Sequence, residues 1–262
     1  MPFHYSPEGT THWREDGSPD GPPVVFAHAL GLDLTLWDRL IPLLPQSLRL
    51  IRYDLRGHGA SSCPAPPYRM GALVSDVERL LDTLDVRNSV FVGLSIGGLI
   101  AQGLTVKRLD QIRALVLSNT AAKIGTAETW ETRIASVRSG GMEAIADATM
   151  ERWFARAVRT TPEAQAMRDL LLQCRPDGYV GCAAAIAGTD FYETTATLTL
   201  PTLSIAGSED GSTPPDLVRE TAALVRGSRF QLIRGAGHLP CVDRPADYAA
   251  ALAGFLRDIG HI

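Results

Sequence analysis

Ser95 stands in Gly93-Leu94-Ser95-Ile96-Gly97, directly after the apolar run Val90-Phe91-Val92 and at the head of a glycine-rich apolar stretch. A serine hydroxyl is a weak nucleophile until a base takes its proton, and it must stand clear of neighbouring side chains to reach a carbonyl. The pattern G-x-S-x-G between a strand and a helix meets the second need. It predicts a sharp strand-to-helix turn with a strained backbone at the serine, and glycine two positions to either side because a Cβ there would clash. The helix start also turns backbone N–H groups toward the serine, so the N–H of Ile96 is placed to hold an oxyanion. These residues point to acyl transfer from an ester-like carbonyl.

Such a serine needs a histidine base and an acid to orient it. On a strand–serine–helix turn, the acid and then the histidine follow later in the chain. The apolar run Leu203-Ser204-Ile205-Ala206 leads into Gly207-Ser208-Glu209-Asp210-Gly211-Ser212-Thr213-Pro214, which offers two adjacent carboxylates. A strand, then Gly-x-x-Asp, then a proline-initiated helix favours Asp210; Glu209 is the alternative. The plain structural role for Asp210 is to cap the next helix. Among six histidines, His238 lies 28 residues after Asp210 in Gly235-Ala236-Gly237-His238-Leu239-Pro240, a loop able to lie over the serine. His4, His12 and His261 sit near the ends of the chain and are expected to be exposed. No histidine pair has metal-ligand spacing, so neither a metal nor an organic cofactor is expected.

Two loops near the front complete the set. Ala27-His28-Ala29-Leu30-Gly31 follows the first strong strand and supplies the candidate second oxyanion donor, the N–H of Leu30. His28 reads as a residue that shapes this loop. Asp54-Leu55-Arg56-Gly57-His58-Gly59-Ala60-Ser61 is a tight turn whose Asp and Arg read as scaffold rather than catalysis.

The elements that must hold these loops are legible as alternation. Short apolar runs at Val24–His28, Leu48–Asp54, Ser89–Gly93, Ala114–Ser118, Thr202–Ala206 and Arg229–Ile233 read as strands. Amphipathic stretches at Leu36–Leu44, Met70–Leu84, Ser95–Val106, Pro215–Val225 and Ala246–Leu256 lie between them. The pattern predicts βαβ units around a mostly parallel, buried sheet. It stops between about Ala122 and Ala196, where only helical patterns occur, at Thr129–Val137, Met142–Phe154, Pro162–Leu172 and Gly178–Ala187. We therefore expect an α/β core from residues 1–121 and 197–262, with a helical cap inserted over residues 122–196.

Composition agrees with an ordinary globular chain: 45% hydrophobic and 21% charged among 262 residues, with a net charge of −4. Acids and bases are mixed throughout, so neither a nucleic-acid footprint nor an anionic-membrane patch is expected. Four scattered cysteines without C-x-x-C spacing read as reduced thiols, and the start of the chain lacks an apolar leader; a cytoplasmic location is expected. The longest nearly apolar stretch, Val90–Leu104, is shorter than the roughly 18 to 20 residues a membrane helix needs.

The serine turn, the acid and histidine loops, the D-x-R-G-x-G-x-S turn and the late insertion together resemble the α/β-hydrolase superfamily. The stretch Leu117-Ser118-Asn119-Thr120-Ala121-Ala122-Lys123-Ile124-Gly125, continuing through Trp130, Arg133 and Gly141-Met142 to Arg152-Trp153-Phe154, looks like the 3-oxoadipate enol-lactonase family. His238-Leu239-Pro240-Cys241-Val242-Asp243-Arg244-Pro245 is similar to that family's histidine segment, with Asp243 where glutamate is more usual; Ala29 stands where many hydrolases carry glycine. The resemblance implies a small-molecule substrate, an enol-lactone of the bacterial β-ketoadipate route, opened by Ser95, His238 and Asp210. Its distant carboxylate would be received by a cap cation: Arg133 first, whose planar fork suits a carboxylate, and Lys123 next. Trp130, three residues earlier on the same helical face, and Trp153 would wall the pocket. The same triad also serves general carboxylesterases and serine hydrolases of perhydrolase or haloperoxidase type. A non-catalytic protein that keeps such a pocket for ligand sensing is a further reading, which turnover of an activated ester would exclude.

Overall fold

The computed structural model describes residues 2–262. Its centre is an eight-stranded sheet in the order β1-β2-β4-β3-β5-β6-β7-β8. The strands are β1 (Phe3–Ser6), β2 (Gly9–Gly17), β3 (Pro23–Ala27), β4 (Arg49–Tyr53), β5 (Ser89–Leu94), β6 (Ile112–Ser118), β7 (Thr202–Gly207) and β8 (Arg229–Ile233). From β4 to β8 every pairing is parallel; β1–β2 and β2–β4 are antiparallel. The central strands β5 and β7 are buried along their whole length, which is why they read as unbroken apolar runs rather than alternations.

The six parallel strands match the expected runs to within two residues at each end, while the β1–β2 hairpin was not expected. Its sequence, GTTHWREDG in β2, lacks an apolar period because ion pairs take the place of apolar contacts at this edge. Glu15 meets the Arg49 guanidinium at 2.8 Å and Asp16 meets that of Arg52 at 2.7 Å, both arginines lying on the neighbouring strand β4. His12, expected exposed, is buried in this hairpin with Nδ1 2.6 Å from Asp54 Oδ2. His261 is also buried, its Nε2 lying 3.1 Å from the Pro23 carbonyl.

The core helices are α1 (Met70–Thr83) and α2 (Ile96–Lys107). Between β6 and β7 come five helices and no strand: α3 (Ala127–Gly140), α4 (Glu143–Trp153), α5 (Pro162–Gln173), α6 (Pro176–Ala187) and the short α7 (Tyr192–Ala196). Helices α3 to α6 pack on one another as a cap, whereas α7 packs against the core helix α2. The chain closes with α8 (Pro215–Leu224), α9 (Pro240–Asp243) and α10 (Pro245–Asp258). The stretch Leu36–Leu44, expected as one amphipathic helix, is instead two single 3-10 turns, Leu34–Trp37 and Ile41–Leu43. Pro42 has no N–H to continue a helix and Pro45 ends the segment, so only short turns survive. Among the described residues, no helix is long and apolar enough to cross a membrane.

Candidate active site

Strand β5 delivers the chain to Ser95 deep in the molecule, and α2 leaves from it. Ser95 adopts φ 58° and ψ −118°, a conformation that a residue with a Cβ rarely takes. It is held there from three sides. Its N–H donates to the Ser118 carbonyl at 3.0 Å, and its carbonyl accepts from Thr120 Oγ1 at 2.7 Å and from the Gly98 N–H at 2.9 Å. The flanking glycines are obligatory: a Cβ on Gly93 would lie 2.3 Å from the Gly97 carbonyl oxygen, and one on Gly97 would lie 2.3 Å from that of Ala27. The cost of the serine's backbone is thus met by close packing of β5, α2 and β3.

The loop after β7 places Asp210 against the loop after β8. Asp210 Oδ2 lies 2.9 Å from His238 Nδ1, while Glu209, its neighbour in sequence, is exposed. Five donors converge on the Asp210 carboxylate. Oδ1 accepts from the N–H groups of Ser212 (2.7 Å) and Thr213 (3.0 Å), and Oδ2 from Asn119 Nδ2 (2.9 Å), Thr213 Oγ1 (2.7 Å) and His238. Burial acts to raise its pKa, but the His238 ring and the hydrogen bonds from Asn119 and Thr213 outweigh it and hold the carboxyl below its ordinary value. An ionised acceptor fixes the proton of a neutral His238 on Nδ1, which leaves Nε2 free to act as a base. Ser95 Oγ and His238 Nε2 are not hydrogen-bonded here; such contacts often tighten only around substrate.

The front loop is fixed by two histidines. His28 Nε2 accepts from the Leu55 N–H at 3.0 Å and its Nδ1 donates to the Ala29 carbonyl at 2.8 Å. His58 Nε2 accepts from the Gly31 N–H at 3.0 Å. Burial lowers the pKa of both, that of His58 to about 3, so each ring is neutral and its Nε2 can accept. The Leu30 N–H between these anchors donates to no group among the described residues, and the Ile96 N–H, first in α2, has no partner in its own helix. Asp54 and Arg56 serve the scaffold. Asp54 accepts from the N–H groups of Leu34 and Ala60, both at 2.8 Å, and Arg56 forks onto Asp76 with two bonds of 2.6 Å.

Ser95 and His238 open onto one cavity of about 460 Å³ between the sheet and the cap. Leu30, Trp130, Arg133 and Trp153 line it as well. Two roomier depressions, of about 610 and 790 Å³, touch neither Ser95 nor His238. The sequence profile of the alpha/beta hydrolase fold matches residues 22–245, which takes in every loop described above. The chain belongs to the α/β-hydrolase family. It is 32% identical over 243 residues to 3-oxoadipate enol-lactonase 2 of Acinetobacter baylyi, covering 92% of this chain and 91% of that one. The crystal structure of the enol-lactonase from Burkholderia xenovorans LB400 superposes with a TM-score of 0.94 at 33% identity, covering 98% of this chain and all of that one. A thermophilic esterase from Thermogutta terrifontis superposes with a TM-score of 0.90 at 29% identity, covering 98% and 97%.

This α/β-hydrolase carries several side chains at the site that sequence reasoning did not single out. Asn119 follows β6 with φ 46° and reaches both Asp210 and the Gly237 carbonyl. A polar residue directly after a strand that ends beside the serine turn was the available signal. Asp243 accepts from the Gly237 N–H at 2.7 Å and so braces the His238 loop. In the cap, Arg133 Nη2 donates to Thr149 Oγ1 at 2.6 Å, and its guanidinium lies over the rings of Trp130 and Tyr179, each 5.6 Å from the centroid. Arg152, not anticipated as a site residue, also faces the cavity. Lys123 does not: it is exposed and pairs with Asp190 at 3.0 Å.

Proposed function

We propose that this hydrolase opens 3-oxoadipate enol-lactone to 3-oxoadipate, using Ser95 as nucleophile, His238 as base and Asp210 as its orienting acid. The observation that carries the reading is a single cavity lined by Ser95 and His238 and also by Arg133, whose guanidinium suits a carboxylate. The similarity to two enol-lactonases over nearly the whole chain supports it.

In this reading His238 Nε2 takes the Ser95 proton as Oγ bonds to the lactone carbonyl carbon. The resulting oxyanion is held by the N–H groups of Leu30 and Ile96. Collapse breaks the ring C–O bond. The departing enolate is easier to expel than an alkoxide; it takes the proton from His238 and the enol becomes a ketone. Water then attacks the acyl-serine while His238 removes its proton, and Ser95 regains a proton as the carboxylate product leaves. Asp210 stabilises the imidazolium at each turn.

A neutral carboxylesterase is the second reading, favoured by the close superposition on an esterase. The test is kcat/KM for the enol-lactone, generated in place from muconolactone, against that for a neutral aryl acetate. A strong preference for the lactone, abolished in Ser95→Ala with kcat down roughly four to six orders of magnitude, is expected. Equal turnover of both would assign the esterase reading. A Ser95→Ala enzyme with a tenth of the activity would remove Ser95 as nucleophile.

A further inference from the structure

Two cations face the cavity and neither has an anion. Arg133 on α3 and Arg152 on α4 both line it, and among the described residues no carboxylate lies within ion-pair distance of either. Two other partly buried arginines without a carboxylate, Arg113 and Arg159, spend their donors on backbone carbonyls and line no part of this cavity. Arg49, Arg52, Arg56 and Arg108 each hold a carboxylate within 3 Å. Arg133 and Arg152 instead converge on one neutral oxygen, Thr149 Oγ1, at 2.6 and 3.3 Å. Beside them the hydroxyl of Tyr179 is buried with no hydrogen-bond partner, as is Nε of Arg133. Burial and the charge of Arg133 both lower the proton affinity of Arg152. Two guanidinium groups brought together in a partly desolvated wall, with donors to spare, form a site that an anion would complete.

We propose that Arg133 and Arg152 form one carboxylate clamp and that Arg152 is a specificity-determining residue, selecting acyl donors that carry a free carboxylate remote from the scissile bond. The clamp rests on Ser95 being the acylated residue, but not on the substrate being a lactone. Its position is set by the backbone. The Arg152 carbonyl accepts from the Gly211 N–H at 3.0 Å and the Trp153 carbonyl from the His238 N–H at 2.7 Å. A Cβ on Gly237 would lie 2.1 Å from the Trp153 carbonyl oxygen, so this end of α4 is packed directly on the histidine loop. The backbone that carries Arg152 is therefore tied to the loop that carries His238.

The test compares mono(4-nitrophenyl) glutarate with its methyl ester, which differ by one negative charge. The readout is the ratio of their kcat/KM values. Wild type is expected to favour the anion. Arg152→Met and Arg133→Met should each lower the ratio about ten- to 100-fold, the scale of a charge-assisted hydrogen bond. The double variant should lose less than the product of the two, because both residues grip one group. Lys123→Met, outside the cavity, should leave the ratio unchanged. An unchanged ratio in Arg152→Met, or equal loss on both esters, would overturn the clamp. Fully multiplicative losses would mean two separate anion sites and overturn it as well. Wild type provides a check that needs no variant: succinate should inhibit methyl-ester hydrolysis competitively and succinamide should not, and no inhibition by succinate would count against the proposal. No turnover of the lactone by wild type, with the ester ratios as expected, would sink the lactone reading and leave the clamp standing.

Discussion

Asp210 Oδ2 lies 2.9 Å from His238 Nδ1, and the same oxygen takes hydrogen bonds from Asn119 and Thr213. Three loops of the chain, following β6, β7 and β8, thus meet on one carboxylate. Its neighbour Glu209 is exposed to solvent.

That geometry separates the two acids experimentally. Asp210→Asn presents an amide to His238 and favours the wrong tautomer, so kcat should fall by roughly three to four orders of magnitude. Glu209→Gln should stay near wild type. Steady-state kinetics of both variants on one activated ester make the comparison, and the reverse ranking would move the acid to Glu209.

His58 provides a second test, this time of the oxyanion loop. His58→Leu leaves the Gly31 N–H without its acceptor and loosens the neighbouring Leu30 N–H. A displaced oxyanion donor should lower kcat about ten- to 100-fold with little change in KM. The pKa of His58 is depressed to about 3 from an ordinary 6.5, so its contribution to stability is present above pH 6.5 and fades as pH falls toward 3. The kinetic defect should accordingly be constant from pH 7 to 9. Wild type should lose more thermal stability than the variant between pH 6.5 and 4. A defect that appears only in KM would argue that this loop binds substrate and does not hold the oxyanion.

Asp243 should show the opposite pH dependence. Burial pushes its carboxyl up to about 6 from 3.8, although the Gly237 N–H it accepts pulls the other way. A raised pKa in the folded state means that its contribution is fully present below pH 3.8 and is lost as pH rises through 6. Asp243→Asn keeps an oxygen for the Gly237 N–H and carries no charge. Its Tm relative to wild type should therefore climb between pH 4 and 7, by on the order of several °C, then level off. Parallel Tm profiles for the two proteins would show that the Asp243 carboxyl titrates normally.

The sequence by itself determined what depends on neighbours along the chain. A glycine two positions to either side of Ser95 dictates the strand-to-helix turn, and an acid or histidine in the loop that leaves a parallel strand is delivered to the same sheet end as the serine. Apolar runs therefore exposed the parallel strands, the serine turn and the places of Asp210 and His238. They missed the β1–β2 hairpin, where ion pairs to Arg49 and Arg52 replace the apolar period, and they left His12 and His261 outside the core they belong to. Only the tertiary structure decided which distant side chains meet. The order of strands sets Asn119 against Asp210 and His58 under Gly31. The packing of α4 on the histidine loop brings Arg152 beside Arg133, on a different helix of the cap. Local spacing fixes a backbone turn within a few residues, whereas contacts between side chains on separate elements follow from how the elements pack, which no single segment encodes.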